Sequence, residues 1–181
     1  MKIHLFGASG SGVTTLGNYL AGQLGIPYYD SDNFFWESST IPFTVRRAPS
    51  LRNQLLLEEL STESNWILGG SIINWKLDLD FDLAVFLWIP PAIRLQRLRA
   101  REYQRYGDII HTDKERNRMF KEFIDWCAGY DNNTVSGRTL QAHENWMTTL
   151  TCPLLELRGD LSGKERAEKI MEVLRILKDQ N

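Results

Sequence analysis

The sequence predicts an α/β protein with a parallel sheet covered by helices on both faces. Five short apolar runs have the length of strands and alternate with longer segments whose leucines recur at helical spacing. The first run leads at once into a loop of glycines and serines, which is followed by a helix. The run Asp82–Ile89 is eight residues long and mostly apolar, as expected of a central strand with both faces buried.

Apolar spacing and bounding glycines and prolines place each element on the chain. The predicted strands are Ile3–Phe6, Pro27–Asp30, Trp66–Leu68, Asp82–Ile89 and Leu154–Leu157. The predicted helices are Thr14–Leu24, Ser50–Leu60, a basic helix from Pro90 to about Arg105, and Lys164–Leu177. Asp32–Pro49 contains two prolines and is predicted to be a loop.

Residues 103–149 carry no strand signal and are rich in polar, charged and aromatic residues. Helices are predicted near residues 113–127 and 138–150 of this insert. An insert between the fourth and fifth strands lies at the carboxyl edge of the sheet, where ligands bind in such folds. We therefore expect a single domain, residues 1–181, with a lid-like insert at about 103–149.

Four side chains of the insert are expected to be structural. His111 and His143 have no Cys or His partner at the spacing of a metal site. Trp126 and Trp146 are expected to pack the helices of the insert against each other.

The bulk composition is that of an ordinary globular protein. Of the 181 residues, 43% are hydrophobic and 24% are charged, which excludes a wholly disordered chain. The formal net charge of −2 argues against nucleic acid or a membrane surface as a partner. Two cysteines make no zinc or disulfide pattern, and no apolar run approaches the ~20 residues of a membrane span. We expect a cytoplasmic protein.

The segment Gly7–Thr15 (GASGSGVTT) fits the phosphate-binding pattern GxxxxGK[ST] at every position except the lysine. Glycines let the backbone N–H groups turn inward, and the following helix points its N-terminus at the phosphates. Thr14 is placed to reach Mg²⁺, whereas Val13 cannot supply the lysine charge on the β- and γ-phosphates. The alternative is a plain turn between a strand and a helix. The predicted nucleotide-binding residues here are Gly7, Ser9, Gly10, Ser11, Gly12, Val13, Thr14 and Thr15.

With this loop, the chain resembles the small P-loop kinases, which include adenylate kinase, shikimate kinase, and adenylate kinase-like or topology-modulation proteins. The resemblance covers most of the chain, apart from parts of residues 103–149. It implies a P-loop NTPase fold, with a five-stranded parallel sheet flanked by helices and a helical lid insert. It also implies ATP and Mg²⁺ as cofactors, and a small-molecule phosphoryl acceptor such as a nucleoside monophosphate.

Two carboxylates follow the second predicted strand. Asp30 and Asp32 resemble the DxD motif of shikimate kinase, which implies that Asp30 is on the metal side and that Asp32 is a catalytic, acceptor-side residue. The alternative is a surface turn or a helix cap, since Asp and Ser favour both.

The acceptor pocket is predicted where the third strand ends. Gly69 and Gly70 are similar to the glycine-rich acceptor loop of shikimate kinase and would let a ligand approach the backbone. Aromatic side chains would wall the pocket and arginines would bind an anionic acceptor; the candidates are Phe34, Phe35, Trp36, Arg46, Arg47 and Arg52. Alternatively, the aromatic residues are core and the arginines are solvated.

Arginines are concentrated on the helix that leads into the insert. Arg97 and Arg101 are four residues apart and share one face, with Arg94 on the same side. They resemble the RxxxR that enters the adenylate kinase lid, and Arg138 is a second lid candidate. These three predicted catalytic residues, Arg97, Arg101 and Arg138, would stabilise charge on the transferring phosphoryl group. The alternatives are a solvated face and RNA contact.

The loop after the last strand is the predicted adenine contact, through Arg158 and Gly159, by likeness to adenylate kinase; a plain glycine turn is the alternative.

Two functions remain open at this point. The first is an ATP-dependent kinase of the adenylate kinase type, which the acidic pair and the arginines favour. The second is a catalytically weak or inactive nucleotide-binding regulatory module, which Val13 favours.

Overall fold

Five parallel strands form one sheet in the order β2-β3-β1-β4-β5 in the computed structural model, which describes residues 1–179. The strands are β1 (Lys2–Gly7), β2 (Tyr28–Asp30), β3 (Trp66–Gly69), β4 (Leu83–Trp88) and β5 (Leu154–Arg158). The parallel sheet and its five strands confirm the predicted fold class. Strand β1 is central and pairs with β3 on one side and β4 on the other, so the loop that follows it opens at the middle of the carboxyl edge.

Residues 1–179 form eight helices. They are α1 (Val13–Leu24), α2 (Ser31–Phe35), α3 (Pro49–Ser61), α4 (Pro91–Tyr106), α5 (Ile109–Thr112), α6 (Lys114–Asn132), α7 (Leu140–Met147) and α8 (Gly163–Asp179). Proline stands in the first turn of α3 and α4, where its missing N–H costs nothing. Thr139 caps α7, because its side chain accepts a hydrogen bond from Ala142 N.

The prediction of a loop over all of Asp32–Pro49 is wrong at its start, where α2 forms. The Asp30 carboxylate caps this helix, with Oδ1 accepting from Asp32 N at 3.0 Å. A five-residue helix is too short to show an apolar period.

The two faces of the sheet bury different helices. Helices α1 and α8 cover one face, where Leu20 and Ile170 pack with Ile3 and Val85. Helices α3 and α7 cover the other face, over side chains such as Leu68 and Phe86. The apolar, alternating faces of β1, β3 and β4 therefore supply the core of the whole domain.

Parts of the insert pack against the rest of the domain. Helix α6 packs on α4 through Leu98, Ile124 and Cys127. Helix α7 lies on the sheet, and the Trp146 ring is 4.9 Å from that of Phe6, centroid to centroid. The expectation that Trp146 packs the insert's own helices together is therefore wrong. The lid-like insert at about residues 103–149 stays a prediction; within it, residues 133–139 connect α6 to α7.

None of the helices described in residues 1–179 combines the length and the apolar character that crossing a membrane requires.

Candidate functional site

The loop between β1 and α1 has the backbone of a phosphate cradle. Gly10 and Gly12 have φ angles of 83° and 92°, in the left-handed region that favours glycine. A Cβ atom on Gly7 would overlap the Leu87 carbonyl of β4, so the chain can leave the sheet here only as glycine. Gly12 gives α1 no side-chain cap, which leaves the first amide N–H groups of the helix for an anion.

Thr14 and Asp30, the two predicted metal-side residues, are in direct contact. Thr14 Oγ1 donates to Asp30 Oδ2 at 2.8 Å, and the Tyr28 hydroxyl donates to the same oxygen at 3.0 Å. Burial and the Asp30 charge raise the pKa of Tyr28 far above its usual range, so it remains a donor. A hydroxyl beside a carboxylate is the oxygen chemistry that Mg²⁺ prefers; metal binding by this pair remains a prediction.

Asp32 stands where charges from three elements meet. Its carboxyl is solvent-accessible but recessed, and burial and the Asp30 charge raise its pKa. The charges of Arg138, Arg101 and Arg105 lower the pKa of Asp32 and so partly offset that rise. The fold thus brings together three of the four predicted catalytic residues, Asp32, Arg101 and Arg138.

Two of the predicted catalytic arginines have partners that place them around the cradle. Arg138 Nη2 donates to Ser9 Oγ at 2.7 Å, which joins the 133–139 connection to the phosphate loop. Arg97 is half exposed and pairs with Asp160 at 2.7 Å, in the loop after β5.

The placement of Arg94 on the same solvent face as Arg97 is wrong. Arg94 is buried, and its Nη2 pairs with Asp131 Oδ2 at 2.6 Å, while its Nη1 donates to Ser9 O at 3.3 Å. It ties α4 and α6 to the phosphate loop. The signal was present in the sequence, because Arg94 lies one helical turn before the buried Leu98 and so on the inward face.

Arg166 of α8 is a site residue that the sequence did not reveal. Its Nη1 donates to Ser11 O of the phosphate loop at 2.7 Å, and its Nη2 donates to Gly159 O at 3.4 Å. Arg166 is in register with Ile170 and Leu174, which are buried on the inward face of α8. That register was the available signal.

The predicted acceptor side is lined by aromatic rings and arginines. Phe35 stacks with Trp75 at 6.1 Å, and the Arg46 guanidinium lies 5.8 Å from the Phe35 ring. Arg52 is buried, with its guanidinium 3.9 Å from the centre of the Trp75 ring. Arg47 is structural instead, because it donates to backbone carbonyls of α2.

The glycines at the end of β3 are required by protein packing. A Cβ atom on Gly69 would overlap the Tyr28 ring, and one on Gly70 would overlap the Ser31 hydroxyl. Gly70 also has a φ of 98°. These contacts explain both glycines without a ligand, and their contact with an acceptor remains a prediction.

The loop after β5 lies beside the phosphate loop. Gly159 N donates to Trp88 O at 3.0 Å, and Gly159 O faces Arg166. Arg158 turns to the opposite side, where it pairs with Glu144 at 3.1 Å and Glu156 at 2.8 Å. The adenine contact of Arg158 and Gly159 remains a prediction.

Comparison with known proteins places the chain in a family. The chain is 40% identical over 175 residues to the uncharacterized protein YqaC of Bacillus subtilis (strain 168), covering 96% of this chain and 97% of that one. It is 31% identical over 130 residues to shikimate kinase of Thioalkalivibrio sulfidiphilus (strain HL-EbGR7), covering 65% and 67%. No family profile matches the sequence.

Among solved structures, deoxyadenosine kinase from M. mycoides with bound dATP superposes with a TM-score of 0.60 over 97% of this chain and 100% of that one, at 13% identity. At that identity the superposition shows the shared fold. The chain therefore belongs to the family of YqaC and, by its sheet and its sequence, to the adenylate kinase-like P-loop kinases.

Proposed function

We propose that the protein binds Mg·ATP at the Gly7–Thr15 loop and transfers the γ-phosphoryl group to a small acceptor, most simply a nucleoside monophosphate. The observation that carries this proposal is convergence at one sheet edge. The phosphate cradle, the Thr14–Asp30 pair and the charges around Asp32 all meet beyond the carboxyl ends of β1, β2 and β3.

The phosphates would lie on amides of the loop and of the first turn of α1. Thr14 would bind Mg²⁺ directly and Asp30 would hold one of its waters. The ion, when bound, neutralises charge on the β- and γ-oxygens. Residues of the chain then have the remaining tasks, which are to align the acceptor and to stabilise the charge that develops during transfer.

In the transfer, the bond from the γ-phosphorus to the bridging oxygen breaks, and an acceptor oxygen forms the new bond in line. Arg101 and Arg138 would stabilise the charge on the equatorial oxygens. Where the acceptor oxygen is a hydroxyl, Asp32 accepts its proton; a phosphate acceptor has no proton to lose. A raised pKa suits Asp32 to that task, because a base works best near the operating pH.

The acceptor side suits a molecule with a flat ring and an anionic group. Phe35 and Trp75 offer ring faces for stacking. Arg46 and Arg52 lie over these rings, and no ion pair involves either guanidinium within residues 1–179. A nucleoside monophosphate has both features.

A nucleotide-binding regulatory module is the second candidate, and Val13 favours it. The Val13 side chain packs against the apolar cluster between α1 and α8 and offers no charge to a phosphate. A protein of this kind would bind ATP without transferring its γ-phosphoryl group.

Turnover by the purified protein distinguishes the two. Mg·ATP is supplied with nucleoside monophosphates, nucleosides and shikimate in turn, and ADP is measured. We expect one acceptor class to be used, and Arg101→Ala to lower kcat by about 10²-fold or more while the Kd for ATP changes little. Arg99→Ala is the matched control, because Arg99 is an exposed arginine on the same helix.

The kinase proposal is wrong if the native protein binds ATP, transfers to no acceptor, and gains activity only on Val13→Lys. The transition-state role of Arg101 is wrong if Arg101→Ala weakens ATP binding as much as it slows turnover.

A further inference from the structure

A buried cation that forms no ion pair with any residue described in the structure lies beside the phosphate loop. Arg166 is only 4% exposed, and its Nε has no hydrogen-bond partner within residues 1–179. Its other nitrogens donate to two backbone carbonyls, and no carboxylate of the described residues forms an ion pair with it. Because a charge away from water is costly unless an opposite charge is near, this arrangement favours an anion.

The position of this cation is set by the phosphate loop itself. Arg166 Nη1 lies 2.7 Å from Ser11 O, and it is 3.4 Å from the point where a Cβ atom on Gly12 would stand. The next residue is Val13, where the phosphate-loop pattern has lysine. The Arg166 guanidinium is therefore adjacent to the part of the phosphate loop where the lysine charge is missing.

The surrounding charges leave a positive excess at this corner. Arg97 pairs with Asp160. Burial lowers the pKa of the Arg166 guanidinium most; the charge of Arg97 lowers it further, and the charge of Asp160 raises it. Arginine stays protonated despite such shifts. Two cations and one carboxylate thus carry a net charge of about +1 beside the loop.

The apolar packing of Val13 helps to hold the helix that carries Arg166. Val13 packs on the cluster that contains Ala167, the neighbour of Arg166 in α8. Helix α8 is thereby held against the start of α1, with its arginine at the loop carbonyls.

We propose that Arg166 supplies the phosphate loop with the positive charge that Val13 lacks, which makes α8 part of the triphosphate site. This inference rests on the proposed function, since its ligand is the ATP bound there. The guanidinium holds the Ser11 carbonyl outward and attracts the phosphates through the loop, so its effect grows with the charge of the nucleotide.

The test is calorimetric titration of the full chain with Mg·ATP, Mg·ADP and AMP. Arg166→Gln should weaken ATP binding by about tenfold or more, ADP binding by less, and AMP binding least. Arg175→Gln is the matched control, because Arg175 is an exposed arginine on the same helix; it should change none of the three affinities.

A double-mutant cycle distinguishes a charge role of Arg166 from a purely structural role. Val13→Lys should tighten ATP binding strongly in the Arg166→Gln background and only slightly in the native one, because the two charges replace each other. An equal gain in both backgrounds overturns the proposal, as does an equal loss of ATP, ADP and AMP affinity in Arg166→Gln.

Arg166→Lys tests the same point if Arg166→Gln does not fold. It keeps the charge and loses the planar fork, so ATP affinity should stay within about threefold of the native value. A loss of ATP affinity of about tenfold or more in folded Arg166→Lys overturns the proposal. Absence of ATP binding by the native protein would instead refute the proposed function.

Discussion

Lowering the pH from 7 to 5 should destabilise the protein through two buried histidines. His4 and His143 are both fully buried, and burial lowers the pKa of each to about 3. The unfolded chain takes up a proton on each ring near pH 6.5, whereas the folded chain does not do so until about pH 3. The free energy of unfolding is therefore highest above pH 6.5 and falls as the pH falls below it.

The size of the loss follows from these pKa values. For one histidine, moving from pH 7 to pH 5 costs about 2 kcal/mol, so the pair costs about 4 kcal/mol. That is a large share of the ~5–15 kcal/mol that stabilises a typical domain. The His143 ring is enclosed where α7 packs on the sheet: its Nδ1 lies 2.6 Å from the Tyr130 hydroxyl and its Nε2 lies 3.1 Å from Ser71 Oγ. The stability loss from His143 therefore depends on that packing.

Urea unfolding at pH 7 and pH 5 measures this loss. His143→Gln keeps two hydrogen-bonding groups but does not titrate, so its pH-dependent loss should be about half the native one, or about 2 kcal/mol. His111→Gln is the control, because His111 is exposed in the same insert, and it should behave as the native protein. Unchanged native stability over this range, or a loss in His143→Gln as large as the native one, would contradict the burial of neutral histidines as the cause.

Two further predictions concern the lid and the glycines. Hydrogen exchange in residues 133–139 should slow when Mg·ATP binds, while α7 stays protected in both states; equal exchange at 133–139 with and without nucleotide would count against a lid there. Gly69→Ala should destabilise the protein by about 1–3 kcal/mol because its methyl group would overlap Tyr28. Gly22→Ala should be neutral or stabilising by up to about 1 kcal/mol, because beyond its neighbours and its own helix backbone a Cβ atom there would meet no atom of residues 1–179 within 4 Å. Thermal unfolding compares the two, and equal effects would contradict the packing explanation.

The sheet could be predicted from the sequence because each strand is a short apolar run with its own stop signal. Leu83–Leu87 and Ile3–Phe6 are buried on both faces, and no helical period competes with them. Helix α2 could not be predicted, since five residues make barely more than one turn and its cap, Asp30, is equally typical of a turn.

The site was only partly predictable for a different reason. The phosphate loop and Asp30 have local signatures, and the chain brings Thr14 to Asp30 as the motif implies. Arginines have a weaker signature, because composition favours a solvated position and only helical register with apolar residues indicates burial. In the structure Arg94 and Arg166 are buried against the loop, whereas Arg97 is half exposed and pairs with Asp160.

Equilibrium binding of Mg·ATP to the native protein tests the central claim most directly. Calorimetry should show one site per chain, and Gly12→Val should abolish binding, because a β-branched residue cannot adopt the φ of 92° on which the cradle depends. Val173→Ala, a change on α8 away from the loop, should leave the affinity unchanged. No binding by the folded native protein, or undiminished binding by folded Gly12→Val, would contradict the account of this loop as a nucleotide site.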